Sequence, residues 1–378
     1  MSKPSITHVA EEMNFLAGGV PAVVRQLSRR LVDKGYELSL IHVNGDASDL
    51  DDIVNTSKCV PHGPLRSWGH SLELENCFGK SIFTKQDECT LFHIHGVWKA
   101  PQILAAKYCA NSSVPFLFSF HGMLEPWLWK QQGAAHRLKK VLFWTLLAKK
   151  SITKSTVVHA ITPLERDNLH ALLPNSTIEV IPNAIDLESL IPSSVSPRAK
   201  KFLFLGRLEP KKGIDILIKA FVHARLDRDW SLEIVGPSWS DVYVESLRNL
   251  VDTSDLSECV HFHGPLVGLA KQALLNESWA MVTPSHSEVV GLVNLEAAAH
   301  LLPSITTYQT GLSDWLDGGG LLVSPEVDSL SQALVQASSW SDEEQFERGL
   351  ASRALVEKRY SWSAVMPMWH DLYSSISN

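Results

Sequence analysis

Two carboxylates, Glu288 and Glu296, stand eight positions apart on either side of Gly291. The run 279–283 ahead of them is apolar and partly β-branched, as a buried parallel strand would be, and residues 284–287 read as a loop. Leu295 and the alanines 297–299 favour helix. A helix opening near Gly291 would present free N–H groups and the positive end of its dipole, a combination that attracts anions. At about 1.5 Å per helical residue the two carboxylates would lie roughly 12 Å apart, or less if the first part is loop. That span suits a diphosphate with a sugar on each side. Paired glutamates on a helix are ordinarily a solvated face. These lie among apolar residues at the end of a predicted strand, where open α/β sheets bind ligands.

Upstream, Phe202, Leu203, Phe204 and Leu205 read as a strand that runs into Gly206, Arg207, Leu208 and, after three residues, Lys212 and Gly213. A guanidinium and an ammonium five residues apart at a strand's end can neutralise a pyrophosphate without a metal ion. In the first half, the apolar run 116–120 leads directly into His121 and Gly122. A histidine just past a strand, beside a glycine, can project toward a ligand or can simply close a loop. Gly18 and Gly19 lie between a predicted strand at 6–10 and an amphipathic helix at 21–32, at a junction where backbone can approach a ligand closely. They lack the Gly-x-Gly-x-x-Gly spacing of a dinucleotide fingerprint.

These residues need a scaffold of alternating strands and helices, and the chain supplies one twice. Strands are expected at 37–43, 92–96, 157–161 and 178–181, and again at 232–236 and 260–264, with a helix at 214–224. With 378 residues, 45% hydrophobic and 20% charged, two globular domains are expected. The Ser/Pro-rich stretch 191–197 has linker composition, which divides the chain into 1–192 and 193–358, with a terminal helix over 359–378. A net charge of −7 argues against nucleic acid as the main partner. The five cysteines are scattered without a Cys-x-x-Cys pair, and no apolar stretch reaches 18 residues, so a cytoplasmic protein with reduced thiols is expected. Among sixteen histidines, His93 and His95, like His261 and His263, share a strand face without an evident third ligand, and structural roles are expected rather than metal sites. Asp49 and Asp51 read as a solvated loop. Trp127 and Trp129 would serve packing, or present aromatic faces to a sugar. Residues 130–154 carry seven Lys and Arg and no Asp or Glu, interleaved with apolar residues at helical spacing. Such a segment either lies on an anionic membrane surface or packs its apolar stripe into the core.

The segment from Pro284 to Glu296 resembles the Glu-seven-residues-Glu motif of family 4 retaining glycosyltransferases of the GT-B fold. Residues 206–213 resemble that family's Gly-Arg-Leu-x-x-x-Lys-Gly in the same register, and Pro182, Asn183, Ala184, Ile185 and Asp186 its Pro-Asn-Gly-Val-Asp turn with Ala for Gly. The resemblance implies two Rossmann-like α/β/α domains facing across a cleft. It implies a retaining, metal-independent transfer of a hexose-type sugar from a nucleoside diphosphate sugar to a saccharide hydroxyl, with no cofactor beyond the substrate. Glu288 and His121 would orient the donor sugar, Arg207 and Lys212 the diphosphate, Glu296 the ribose. Gly18, Gly19, Val290, Gly291 and Leu292 would approach the donor closely, and the backbone of Pro265 and Leu266 would meet the nucleobase. Bacterial envelope polysaccharide synthesis, with lipid-linked acceptors, is the setting the resemblance favours. Two departures stand out: Val289 and Val290 replace Gly-Phe, and residues 299–303 replace Ala-Cys-Gly-x-Pro. A phosphorylase, a nicotinamide-dependent oxidoreductase, a transferase with a soluble acceptor and a catalytically silent sugar-nucleotide module are the rival readings.

Overall fold

The computed structural model describes residues 3–14, 19–79, 90–130, 133–187 and 198–377. By internal contacts they form two units, residues 1–183 with 365–378, and residues 184–364. In the first unit the strands are β1 (Ser5–Glu12), β2 (Leu38–Asn44), β3 (Asn55–Lys58), β4 (Thr90–His95), β5 (Phe116–Ser119), β6 (Val157–Ala160) and β7 (Ile178–Val180). They form one parallel sheet in the order β3-β2-β1-β4-β5-β6-β7, and the register sets His8 of β1 beside His93 of β4. The second unit holds β8 (Lys201–Leu205), β9 (Ser231–Val235), β10 (Val260–Gly264), β11 (Ala280–Thr283), β12 (Ser304–Thr307) and β13 (Leu321–Val323). Its parallel order is β10-β9-β8-β11-β12-β13. Each sheet therefore reverses direction once, between β1 and β4 and between β8 and β11. In open parallel sheets that reversal, at the carboxyl ends of the strands, is where ligands bind.

The apolar patterning explains the layers. Phe92, Ile94, Phe116 and Phe118 are buried in the first core, and Phe202, Phe204, Leu232, Ile234 and Val282 in the second. The helix Ile214–Ala224 adds Ile214, Leu217, Ile218 and Phe221 to that second core, one stripe at helical spacing. Each such side chain contributes about 1.5–3 kcal/mol on burial, so Leu217→Ala would cost about 2–5 kcal/mol. The helix Gly19–Asp33 likewise buries Val24, Leu27 and Leu31.

Three strands lie outside the sequence expectation: the polar β3 and the short β12 and β13, each of which extends its sheet. Residues 130–154 form the helix Gly133–Phe143, a single π-helical turn Trp144–Ala148 and a short helix Lys149–Ile152. Of their apolar residues, Trp144 and Ala148 are buried, but Leu138 is 58% and Leu146 72% exposed. The expected linker lies outside the described residues. The terminal helix, Trp362–Ser377, is counted with the first unit from Val365 onward.

Candidate functional site

At the switch point of the second sheet two loops are tied together. Gly206 follows β8, and its N–H donates to Val235 O (2.9 Å). Gly236 abuts it so closely that a Cβ there would come within 1.8 Å of Gly206 O. After the short 3₁₀ turn Pro210–Lys212, Gly213 adopts φ +67°, and a Cβ at this position would meet Pro284 O at 2.3 Å. His286 N–H donates to Lys211 O (2.9 Å), closing the loop after β11 against the loop after β8. Only glycine permits these approaches, and through them Lys212 reaches Glu288, with which it forms an ion pair. Both side chains are largely shielded from solvent. Arg207, on the same loop, is exposed.

The helix Leu292–Ala299 opens at Gly291, as its sequence predicts, and no side chain among the described residues caps that end. Its leading N–H groups are thus offered to a ligand. The end is held from behind by a buried polar set: Thr283 Oγ1 lies 3.0 Å from Asn294 Oδ1 and 2.7 Å from Thr306 Oγ1, and Thr307 donates to Ser285 O at 2.6 Å. Glu288 N–H donates to Gln309 O (3.0 Å), so the loop between β11 and the helix is fixed on both sides. Val290 is buried beneath it and Leu292 half-buried. Farther along the helix, Glu296 pairs with Lys271 at 2.6 Å. Lys271 stands on the helix Gly268–Glu277 and has no motif to announce it. Pro265 and Leu266 follow edge strand β10, Leu266 packing on the small cluster of Leu203, Leu205 and Leu275.

In the first unit His121 follows β5 with φ +52°, a conformation few non-glycine residues adopt. Glu165 holds it there. This carboxylate is 2% exposed and accepts from Gly122 N–H (2.6 Å) and Ile161 N–H (2.7 Å), while burial pushes its pKa up. His121 Nε2 lies 3.0 Å from His95 Nδ1, and His95 Nε2 lies 2.9 Å from His8 Nδ1. A second chain runs from Tyr373 OH through His93, Ser119 and His159 to Ile181 O, with steps of 2.7–2.8 Å. Burial holds His8 and His121 down at about 3, His159 at about 4, and His93 and His95 well below the ordinary range. Ligand atoms of His8, His93 and His95 come within 4.8 Å of one another, a proximity that sequence spacing did not reveal. Both nitrogens of His93 and of His95 already have hydrogen-bond partners, so these two serve the polar chains.

The remaining candidates are distributed as follows. Gly18 lies outside the described residues, and Gly19 opens the helix Gly19–Asp33. Asp49, expected to be solvated, pairs with Arg29 at 2.7 Å and with buried Arg25, which also holds Met13 O. Trp129 donates to Leu124 O and packs edge-on against Trp98, a structural role.

Comparison with known proteins adds to this geometry. The sequence matches the family described as Glycosyltransferase Family 4 over residues 17–189 and that described as Glycosyl transferases group 1 over residues 199–339. It is 30% identical over 356 residues to a D-inositol 3-phosphate glycosyltransferase of an Arthrobacter species, spanning 86% of this chain and 80% of that one. A Paenarthrobacter aurescens protein of the same description is 32% identical, but the alignment spans only 43% of either chain. A GDP-mannose:cellobiosyl-diphosphopolyprenol alpha-mannosyltransferase of Xanthomonas oryzae is 23% identical over 97% of this chain and 96% of its own. Among solved structures, sucrose-phosphate synthase from Thermosynechococcus elongatus superposes with a TM-score of 0.79 at 21% identity, covering 99% of each chain. Anabaena HepE in complex with UDP and glucose superposes at 0.75 and 16% identity, covering 98% of this chain and all of the other.

Proposed function

We infer that this chain, which belongs to glycosyltransferase family 4 and has the GT-B fold, moves a hexose-type sugar from a nucleoside diphosphate sugar to a hydroxyl of a saccharide acceptor. The observation that carries the reading is the meeting of Lys212, Glu288 and an uncapped helix end at the switch point of the second sheet. A diphosphate needs cationic and N–H donors, and a sugar needs carboxylate acceptors. This junction holds both. Lys212, Arg207 and the amides after Gly291 take up the charge that grows on the diphosphate as the bond to the sugar breaks. A diphosphate oxygen accepts the proton of the attacking hydroxyl on the same face, so the anomeric configuration is retained. Glu288 orients the transferred sugar, Glu296 the ribose, and His121 of the first unit the sugar. In the free protein Lys212 and Lys271 balance the two carboxylates. Binding of the donor then exchanges ion pairs instead of burying bare charge.

The test is a thermal-shift panel of UDP-, GDP- and ADP-sugars at millimolar concentration. A donor at 100 times its dissociation constant stabilises by about 2.7 kcal/mol, a shift of several degrees. No shift with any of them would remove the reading.

A lipid-linked acceptor, of the kind used in bacterial envelope polysaccharide synthesis, is favoured by one specific observation. Between residues 133 and 152 the leucines face outward beside Lys139, Lys149 and Lys150, where a core helix would have turned them in. Apolar side chains flanked by ammonium groups suit an anionic membrane surface. No helix among the described residues is long and apolar enough to cross a membrane. The check is co-sedimentation with anionic vesicles at low salt, compared with a Leu138, Leu146→Ser variant. Equal or absent binding of both would favour a soluble acceptor.

A further inference from the structure

The imidazole chain behind His121 has a direction. His8, His95 and His121 are linked Nδ1 to Nε2 in sequence, at 2.9 and 3.0 Å. His8 and His95 are buried, and burial keeps all three rings neutral at physiological pH. A neutral imidazole carries one proton on one of its two nitrogens, so a linked chain has only two self-consistent arrangements. In one, every proton is on Nδ1: His8 donates to His95, His95 donates to His121 Nε2, and His121 Nδ1–H is left for another partner. In the other, every proton is on Nε2, and His121 Nδ1 becomes an acceptor.

The far end of the chain decides between them. Among the described residues, buried His8 Nε2 has no hydrogen-bond partner. In the first arrangement this orphan is a lone pair, and in the second it is an N–H. Orphaned buried N–H groups are the rarer and costlier defect in folded proteins. At the near end, His121 is only half-buried, and its backbone is clamped by Glu165 through Gly122. We propose that His8 and His95 are positioning residues that set the tautomer of His121, so that its Nδ1 carries the proton and donates a hydrogen bond to an oxygen of the transferred sugar. This rests on the donor-sugar reading of His121 given above. It adds two residues, neither of which needs to touch substrate.

The experiment is long-range proton–nitrogen NMR on the full chain labelled with nitrogen-15 histidine, at pH 7.5 without ligand, with His121 identified by its absence in His121→Ala. Protonated Nδ1 and bare Nε2 are expected, and the reverse pattern would overturn the proposal. In His8→Leu the first donor is gone. His121 should then become a mixture of tautomers, and kcat should fall about five- to tenfold, the worth of one ordinary hydrogen bond, with donor KM within about twofold. His8→Asn, whose amide can occupy the place of Nδ1–H, should restore both. An unchanged tautomer and unchanged kcat in His8→Leu would also overturn it. Should that variant fail to fold, the parent tautomer alone decides. The spectrum needs no substrate, so a chain that binds no sugar nucleotide would defeat the functional reading and leave the tautomer to be judged separately.

Discussion

Acidification should destabilise the first unit far more than the second. His8, His93, His95 and His159 are buried and held neutral, with folded-state pKa values depressed below the ordinary 6.5. Below pH 6.5 the unfolded chain binds protons that the folded chain refuses. The stability these groups allow is therefore complete above about pH 6.5 and is lost as pH falls toward their folded values. At pH 5 each group forfeits about 2 kcal/mol, set by the unfolded pKa alone, and four forfeit about 8 kcal/mol. That is comparable with the whole stability of a typical domain, about 5–15 kcal/mol. Among the described residues of the second unit one histidine is comparable, His300, buried and held at about 4. The assay is urea denaturation between pH 7.5 and 5.0, with hydrogen exchange measured on peptides from 90–120 and 201–235 and corrected for intrinsic rates. The first set should lose protection at least two orders of magnitude more than the second. Equal loss in both would show that the histidines are not held neutral and would undo the reasoning on their chains.

Two further predictions concern the second unit. Glu288→Gln should mainly lower turnover, because Glu288 is assigned to the reacting sugar, whereas Glu296→Gln should weaken affinity for the free nucleoside diphosphate by roughly ten- to a hundredfold, the worth of a charged hydrogen bond; titration calorimetry beside steady-state kinetics separates the two, and equal loss of diphosphate affinity in both would refute the division. Transfer should persist in excess EDTA, since Arg207 and Lys212 are assigned the charge-neutralising role, and activity that vanished and returned only with added metal would contradict that.

That the second-unit candidates are neighbours was legible because their determinants are local. Gly206, Arg207, Lys212 and Gly213 lie in one loop, and Glu288, Gly291 and Glu296 in one strand–helix junction, so chain order already implies their neighbourhood. The apolar stripe of the helix at 214–224 was legible for the same reason. What pairs with these residues was not. Lys271 reaches Glu296 from another helix, and Glu165 reaches Gly122 across 43 positions. His8 meets His95 only because β1 and β4 are neighbours at the switch point of the first sheet. His93 and His95 therefore looked like an isolated pair. Strand β3, with the sequence Asn-Thr-Ser-Lys, sits at a sheet edge, where one neighbour suffices and no apolar run is required. For residues 133–152 the periodicity gave a helix, but the outward direction of its leucines depends on what the rest of the unit leaves uncovered.

The most direct measurement is calorimetric titration of UDP, GDP and ADP into the parent and into Lys212→Ala. At least one nucleoside diphosphate should bind the parent with micromolar to submillimolar affinity. Lys212→Ala should weaken that ligand at least tenfold, as expected for one charge-assisted contact, while leaving the melting temperature of the free protein within a few degrees. Binding of none of the three to the parent, or undiminished binding to Lys212→Ala, would contradict the assignment of this junction to the sugar nucleotide.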